Sequence, residues 1–234
     1  MFTLITTNEI LSVPSDCEEL FINCDEFDQP LDTLVPSLKK LTLFSNAFTH
    51  SLDKLPSGLV YLRIACRSRL LKLNALPPGL TYLVMDCEYK GDLAKLPSTL
   101  VTLEIYDIRF NSCLSALPAS VVNFRLSSLD FNHPLGTLPP ALKFLHLAGT
   151  YNQPLTNKIV APALESFTLY SSWFNQPITY LPPSLKSLDL ECANFNSLVK
   201  LDANSTLQFF KLKSDLYKDD LKCIPSSLTA LIIC

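Results

Sequence analysis

The strongest constraint on the fold is a repeat of about 21 residues that runs along most of the chain. Each unit begins with an apolar anchor, usually followed by proline, and has further apolar residues four, seven and nine positions later. Leu181, for example, is followed by Leu185, Leu188 and Leu190. The anchors lie at Val13, Leu34, Leu55, Leu76, Leu96, Leu117, Leu138, Val160, Leu181, Ala203 and Ile224.

The spacing inside each unit predicts one short strand per repeat. In Leu188-Asp189-Leu190 the two leucines point inward and Asp189 points outward, because side chains alternate along a strand. Such short strands do not fold alone, but stacked in parallel at about 4.8 Å they bury one continuous core. The proline after the anchor lacks an N–H, which places it in a turn outside the ladder. A unit of this length leaves little room for α-helix, so the rest of each coil is expected to be irregular or 3₁₀.

Two further columns precede the anchors. An asparagine follows the aromatic residue in several units, and we expect a ladder of these side chains to satisfy backbone groups in tight bends. The aromatic column, which Arg69 interrupts, is expected to form a second interior line of side chains. It contains Phe27, Phe48, Tyr89, Phe110, Phe131, Tyr151, Phe174, Phe195 and Tyr217.

The segments FNHPLGTLPPALKFLHL and FNQPITYLPPSLKSLDL resemble FNIP repeats, a short subclass of leucine-rich repeat. The resemblance covers the chain after residue 12 and implies a leucine-rich-repeat-like right-handed solenoid of about eleven coils, with a parallel ladder and little α-helix. It is weakest where Arg69 replaces the aromatic residue and where Ala203-Asn204 replaces Leu-Pro. FNIP-repeat proteins occur mainly in social amoebae and in large DNA viruses of amoebae, and several look like F-box proteins that recruit targets for ubiquitylation. The units are also similar to the short repeats of bacterial effectors.

Composition excludes several other functions. The net charge of −3 provides no basic field for nucleic acid. No apolar run reaches the length of a membrane span, and the first residues lack the basic segment of a secretory signal. The eight cysteines show no paired metal-ligand spacing, so we expect reduced thiols, a cytoplasmic location (host cytoplasm or virion for a viral protein), and no metal or cofactor.

The residues with chemical potential mostly fall into repeat columns. Cys24, Cys66, Cys87 and Cys192 share a column with serines and a glycine, which predicts a small side chain at a bend. His50 and His133 replace the glutamine of the FNQP phrase, and His146 lies on an outward strand position without a predictable nucleophile beside it. We therefore expect no catalysis.

The outward strand positions carry aromatic and charged side chains, the types that dominate protein interfaces. They predict a partner-binding surface on the concave strand face, although aromatic residues on a ladder also simply favour strand structure. The predicted surface comprises Phe44, Tyr61, Arg63, Tyr82, Glu104, Tyr106, Arg125, Phe144, His146 and Tyr170.

The ends of a solenoid expose core and strand edges. Residues 1–12 are expected to form an N-terminal cap, and residues 13–234 a single solenoid domain. The last coil has no following cap, so Leu228, Leu231, Ile233 and Cys234 are candidates for contact with a second copy or a partner, against the alternative of a frayed end or a lost cap.

These patterns favour a non-catalytic protein-interaction scaffold. One alternative is a substrate-recognition adaptor of a ubiquitin ligase, whose F-box a partner supplies, because the first repeat begins by residue 13. The other alternative is a structural or assembly component, such as a part of a large virus particle.

Overall fold

The computed structural model describes residues 1–7, 13–66, 75–88, 91–156, 159–203, 205–218, 221 and 224–234. The chain forms two compact units, residues 1–107 and 108–234. The assignment of residues 13–234 to one domain stays a prediction.

The first unit contains six described strands. They are β1 (Phe2–Ile5), β2 (Glu19–Asn23), β3 (Lys40–Phe44), β4 (Tyr61–Ala65), β5 (Tyr82–Asp86) and β6 (Thr102–Tyr106). Strands that follow one another along the chain pair in parallel. The register places equivalent residues of successive repeats side by side, as in Leu41 opposite Leu62.

The second unit repeats this arrangement. Its described strands are β7 (Asn123–Ser128), β8 (Phe144–Gly149), β9 (Ser166–Ser171), β10 (Ser187–Glu191), β11 (Phe209–Lys213) and β12 (Ala230–Ile233). They also pair in parallel in sequence order. Each unit is thus a parallel β-solenoid, which confirms the fold class that the repeat predicted.

The strands β2 to β12 follow the eleven anchors, whereas β1 has no anchor and was not predicted as a strand. It lies in the predicted cap, of which residues 8–12 are outside the described residues. The return legs are mostly irregular, with 3₁₀ helices at Leu93–Lys95 and Leu114–Ala116. No α-helix occurs in the described residues.

The interior is built as the columns predict. The inward strand leucines are buried, for example Leu188 and Leu190. The described aromatic residues form an inner line whose rings lie 5.7 to 6.3 Å apart between neighbouring coils, and Phe27, Phe48 and Phe174 are fully buried. Arg69 and Tyr89 of this column lie outside the described residues.

The sequence pattern misplaces the anchor in three repeats, where Val160, Ala203 and Ile224 are exposed. Val160 is 51% exposed, whereas its neighbours Ile159 and Ala161 are buried. Val160 pairs in extended conformation with Thr137, its N–H donating to Gly136 and its carbonyl accepting from Leu138. Alternation along this extended segment turns Val160 outward and the two flanking residues inward.

Proline closes the turn after the anchor, as expected. The Pro56 carbonyl accepts a hydrogen bond from the N–H of Leu59, and the Pro118 carbonyl accepts one from Val121. These bonds join residues three apart, as in a β-turn.

The columns at the bends tie neighbouring coils together. The Asn132 side-chain oxygen accepts from the Asn152 N–H at 2.8 Å, and Asn152 in turn accepts from the Asn175 N–H at 3.0 Å. In the column of serines and cysteines, the Ser45 hydroxyl donates to the Phe27 carbonyl at 2.7 Å, and the Ser128 hydroxyl donates to the Phe110 carbonyl at 2.8 Å. The asparagine bonds confirm that this column satisfies backbone groups. For the serine and cysteine column, the sequence predicted a small side chain but not the hydrogen bonds of the serine hydroxyls.

Candidate protein-binding faces

The ten predicted binding residues divide between the units. Six lie on strands β3 to β6 of the first unit, and four lie on β7 to β9 of the second. All ten occupy outward positions, because each strand buries its second and fourth residues in the core. We call the outward side chains of β2 to β6 the first face and those of β7 to β12 the second face.

Aromatic rings meet across neighbouring strands of the first face. Tyr61 on β4 stacks on Tyr82 on β5, with ring centres 5.0 Å apart. Phe44 on β3 and Phe21 on β2 meet with their ring planes at 90° and their ring centres 5.4 Å apart. All four rings are half-buried. Phe21 was absent from the predicted set, although it lies in an outward column that the repeat register identifies.

Arg63 lies between these two aromatic pairs on β4. Its guanidinium carbon is 5.2 Å from the centre of the Phe44 ring, a cation–π arrangement. The Nε atom is buried and has no hydrogen-bond partner. In register, Arg63 lies between the uncharged residues Thr42 and Val84.

Glu104 on β6 is held by two tyrosines of the first face. The Tyr82 hydroxyl donates to its Oε1 and the Tyr106 hydroxyl to its Oε2, both at 2.6 Å. The hydrogen bond to Glu104, with partial burial and the carboxylate charge, raises the pKa of Tyr82 to about 12. These bonds join three of the predicted binding residues into one rigid group.

Val84 shows how densely this part of the face is covered. It points away from the core, yet only 2% of its surface is exposed. Its neighbours in register are Arg63 and Glu104. An apolar residue buried on the outward side indicates that large neighbouring side chains lie over the strands instead of extending into solvent.

The second face presents its aromatic residues more openly. Phe144 is 49% exposed and Tyr170 is 39% exposed. His146 on β8 meets Tyr170 on β9 edge to face, with ring centres 5.0 Å apart. This pair stands on neighbouring strands, as the register predicted.

An ion cluster follows on the second face and was not among the predicted binding residues. Lys211 Nζ lies 3.3 Å from Asp189 and 2.5 Å from Glu191, and Lys213 lies 3.8 Å from Glu191. The hydrogen bond to Glu191 raises the pKa of Lys211, and the same bond lowers the pKa of Glu191. The register could have identified it, because Asp189 aligns with Lys211 and Glu191 with Lys213.

The histidines outside the faces have structural contacts. His50 Nε2 lies 3.0 Å from the Asp28 carbonyl oxygen, and His133 Nε2 lies 2.9 Å from the Asn111 carbonyl oxygen. Each histidine contacts a backbone carbonyl 22 residues earlier in the chain, as expected for two residues at the same position of the repeat. Within the described ranges, no group of three or more His, Cys, Asp or Glu side chains is arranged to hold a metal ion.

Most described cysteines of the bend column are buried. Cys66, Cys87 and Cys192 have little exposed surface, and Cys24 is half-buried. Burial raises the pKa of the Cys192 thiol to about 12. A thiol with a raised pKa is a poor nucleophile at neutral pH, which agrees with a packing role for this residue.

The strand β12 exposes apolar side chains. Leu231 is 40% exposed and Ile233 is 45% exposed, while Phe210 and Leu212, their partners on β11, are fully buried. Leu228 is half-buried and Cys234 is exposed. In the described part of the chain, no helix is long and apolar enough to span a bilayer.

Comparison with known proteins yields similarity in structure alone. The sequence matches no protein-family model, and no curated protein is significantly similar to it. Among solved structures, the chain is similar to CroV588, a circular leucine-rich-repeat protein, at 17% identity over 98% of this chain, with a TM-score of 0.36. It is also similar to YopM from Yersinia enterocolitica, at 20% identity over 95% of this chain, with a TM-score of 0.45. The chain spans about half the length of the first protein (51%) and 65% of the second.

Proposed function

We propose that this protein is a non-catalytic scaffold that binds a partner protein on the outward faces of its strands. The observation that carries this proposal is the first face, where two aromatic pairs flank Arg63. The inward residues already build the core, so the half-buried outward rings remain available for contact. Aromatic residues and arginine dominate protein-interface energetics because they offer a large contact area at little entropic cost.

The rigidity of the faces favours recognition without large rearrangement. Parallel pairing fixes each strand, and the bonds from Tyr82 and Tyr106 to Glu104 fix side chains as well. Preorganised side chains lose little freedom on binding, which lowers the entropic cost of association.

Affinity capture from the native cell tests this proposal. A variant with Tyr82, Tyr106 and Phe144 changed to alanine should lose the partners that the wild-type chain captures. A matched control changes Ile108, Leu129 and Trp173 to alanine, since these exposed apolar residues lie outside the faces. Unchanged capture by the first variant, with thermal unfolding like wild type, would contradict the proposal.

A second candidate function is assembly through β12. The exposed Leu231 and Ile233 favour it, because their partners on β11 are fully buried. A second copy that packs on β12 would remove these side chains from water and pair the strand edge.

The repeat subclass, the cellular location and the biological role of the protein are also proposals. Membership of the FNIP subclass is supported by the roles of its named residues, since Phe174 is buried and the Asn175 side chain accepts from the Asn196 N–H. A reducing, cytoplasmic location is supported by the packing of Cys66, Cys87 and Cys192 as buried thiols. The identity of captured proteins distinguishes a ubiquitin-ligase adaptor, which would co-purify with a ligase subunit, from a virion component.

A further inference from the structure

Arg63 differs from other cations of the faces in its surroundings. Lys40 lies 4.0 Å from Glu19, and Lys211 is held by Asp189 and Glu191. Among the described residues, no carboxylate oxygen lies within ion-pair distance of Arg63, whose recorded contact is the Phe44 ring. Arg63 therefore carries a charge on the first face that no acid of the described residues contacts directly, although Glu19, Asp86 and Glu104 lie on the same face.

The geometry of Arg63 prepares it for a planar anion. The cation–π contact holds the guanidinium carbon 5.2 Å from the centre of the Phe44 ring. The Nε is buried without a partner, whereas the two terminal nitrogens are not among the buried atoms that lack one, so they are open to a ligand. A guanidinium that an aromatic ring already holds loses less freedom than a lysine side chain when it binds a carboxylate through two parallel hydrogen bonds.

We propose that Arg63 binds a single carboxylate side chain of the partner protein, in a segment that lies across strands β3 to β5. This inference rests on the proposed function and names the chemistry of the partner. The stacked rings of Tyr61 and Tyr82 flank the site on the same and the next strand, and contact with them would exclude water from the ion pair. Desolvation strengthens such a pair, provided that both partners keep their hydrogen bonds.

The surroundings favour a carboxylate over a phosphate group. Phosphate recognition usually combines several arginines or a helix N-terminus. Around Arg63, the outward residues in register are Thr42 and Val84, and the nearby Lys40 is paired with Glu19. Asp86 on β5 and Glu104 on β6 add negative charge to the same face, which disfavours a doubly charged phosphate. One unpaired guanidinium matches the charge of one carboxylate.

Selection from a random 12-residue peptide library displayed on phage tests the inference without a known partner. Clones selected on the full wild-type chain should share an aspartate or glutamate at a fixed position. Arg63→Met, which keeps a side chain over Phe44 without the charge, should weaken their binding at least about tenfold, and Arg63→Lys should weaken it less. Lys54→Met is the matched control, because Lys54 lies outside the faces and pairs only with Asp32 at the surface among the described ion pairs, so the affinity should stay within about twofold of wild type.

The outcomes separate this inference from the proposed function. Clones that need Tyr61 and Tyr82 but lack a fixed acid, or that bind Arg63→Met as well as wild type, overturn the carboxylate site and leave the binding face standing. A selected peptide that binds more tightly when its acid is replaced by phosphoserine also overturns it. Clones unaffected by alanine at Tyr61 and Tyr82 contradict the binding face itself. Circular dichroism of each variant confirms that the fold is retained.

Discussion

Gly149 lies directly against the carbonyl of Ser128 on the neighbouring strand. A Cβ placed on Gly149 would lie 1.7 Å from the Ser128 carbonyl oxygen, and the φ of Gly149 is +135°. Its position in the bend column therefore requires glycine for both space and backbone conformation.

Gly149→Ala is expected to destabilise the fold by about 3 kcal/mol or more, since the backbone of one coil must shift from its neighbour. Gly136→Ala is the matched control, because Gly136 also has a positive φ of +57° but has no atom within 4 Å of an added Cβ. It should cost only about 1 kcal/mol. Urea unfolding measures both free energies, and equal losses would contradict the steric argument.

Tyr151→Phe is expected to stabilise the protein by about 1 kcal/mol. The Tyr151 hydroxyl is buried without a hydrogen-bond partner among the described residues, and burial raises its pKa. Phe131 and Phe174 stack on either side of the ring and show that this column accepts phenylalanine. Phe174→Tyr should have the opposite effect in the same urea titration, and a Tyr151→Phe variant less stable than wild type would contradict this reading.

Ser128→Ala is expected to lower the free energy of unfolding by about 1–3 kcal/mol, because it removes the buried hydrogen bond to the Phe110 carbonyl. The Ser128 hydroxyl donates to the Phe110 carbonyl and accepts from the Asp130 N–H at 3.2 Å. Ser112→Ala is the control, since Ser112 is exposed and also lies in the second compact unit. It should change the free energy of unfolding by less than about 0.5 kcal/mol. If the two variants unfold at the same urea concentration, the hydroxyl makes no net contribution.

The contribution of Tyr82 to stability should disappear at high pH. The hydrogen bond to Glu104 raises the pKa of Tyr82 to about 12, above the value near 10 of an unfolded tyrosine. Its stabilising effect is therefore complete below about pH 10 and is lost as the pH rises through about 12. The difference in unfolding free energy between wild type and Tyr82→Phe should shrink between about pH 9 and pH 12, and a constant difference would contradict the linkage.

The β12 surface predicts self-association at micromolar concentration. Sedimentation should show a dimer of the wild-type chain and a monomer of the Leu231→Lys, Ile233→Lys double variant, because lysine resists burial in an apolar contact. Ile108→Lys is the control, since Ile108 is exposed and lies outside β12. A wild-type chain that sediments as a monomer removes the assembly candidate.

The repeat register made the strands and their outward residues predictable. The positions of Leu188 and Leu190 hold apolar residues in every repeat with the same spacing. Stacking these equivalent residues is the arrangement that buries them. The same register placed Tyr61 beside Tyr82 and His146 beside Tyr170. It also explained His50 and His133 by their positions in the repeat.

The sequence pattern did not reveal places where a segment departs from the repeat, or features that depend on the direction of an outward side chain. Strand β1 lacks an anchor, and Val160 turns outward because its extended segment changes which residues face the core. The cation–π contact between Arg63 and Phe44 depends on the rotamer of a long side chain, on which the repeat places no constraint.

The sequence by itself determined the solenoid, because a strict apolar spacing has only one way to bury every copy of its inward residues. Only the tertiary structure decided how the outward residues combine. It joined Glu104 to two tyrosines and paired Lys211 with two acids, whereas Arg63 rests on an aromatic ring without a carboxylate. The physical reason is that packing in the core fixes the positions of inward side chains, so their spacing in the sequence is enough to predict them. The contacts of outward side chains depend on the distance and charge of their neighbours in the folded chain.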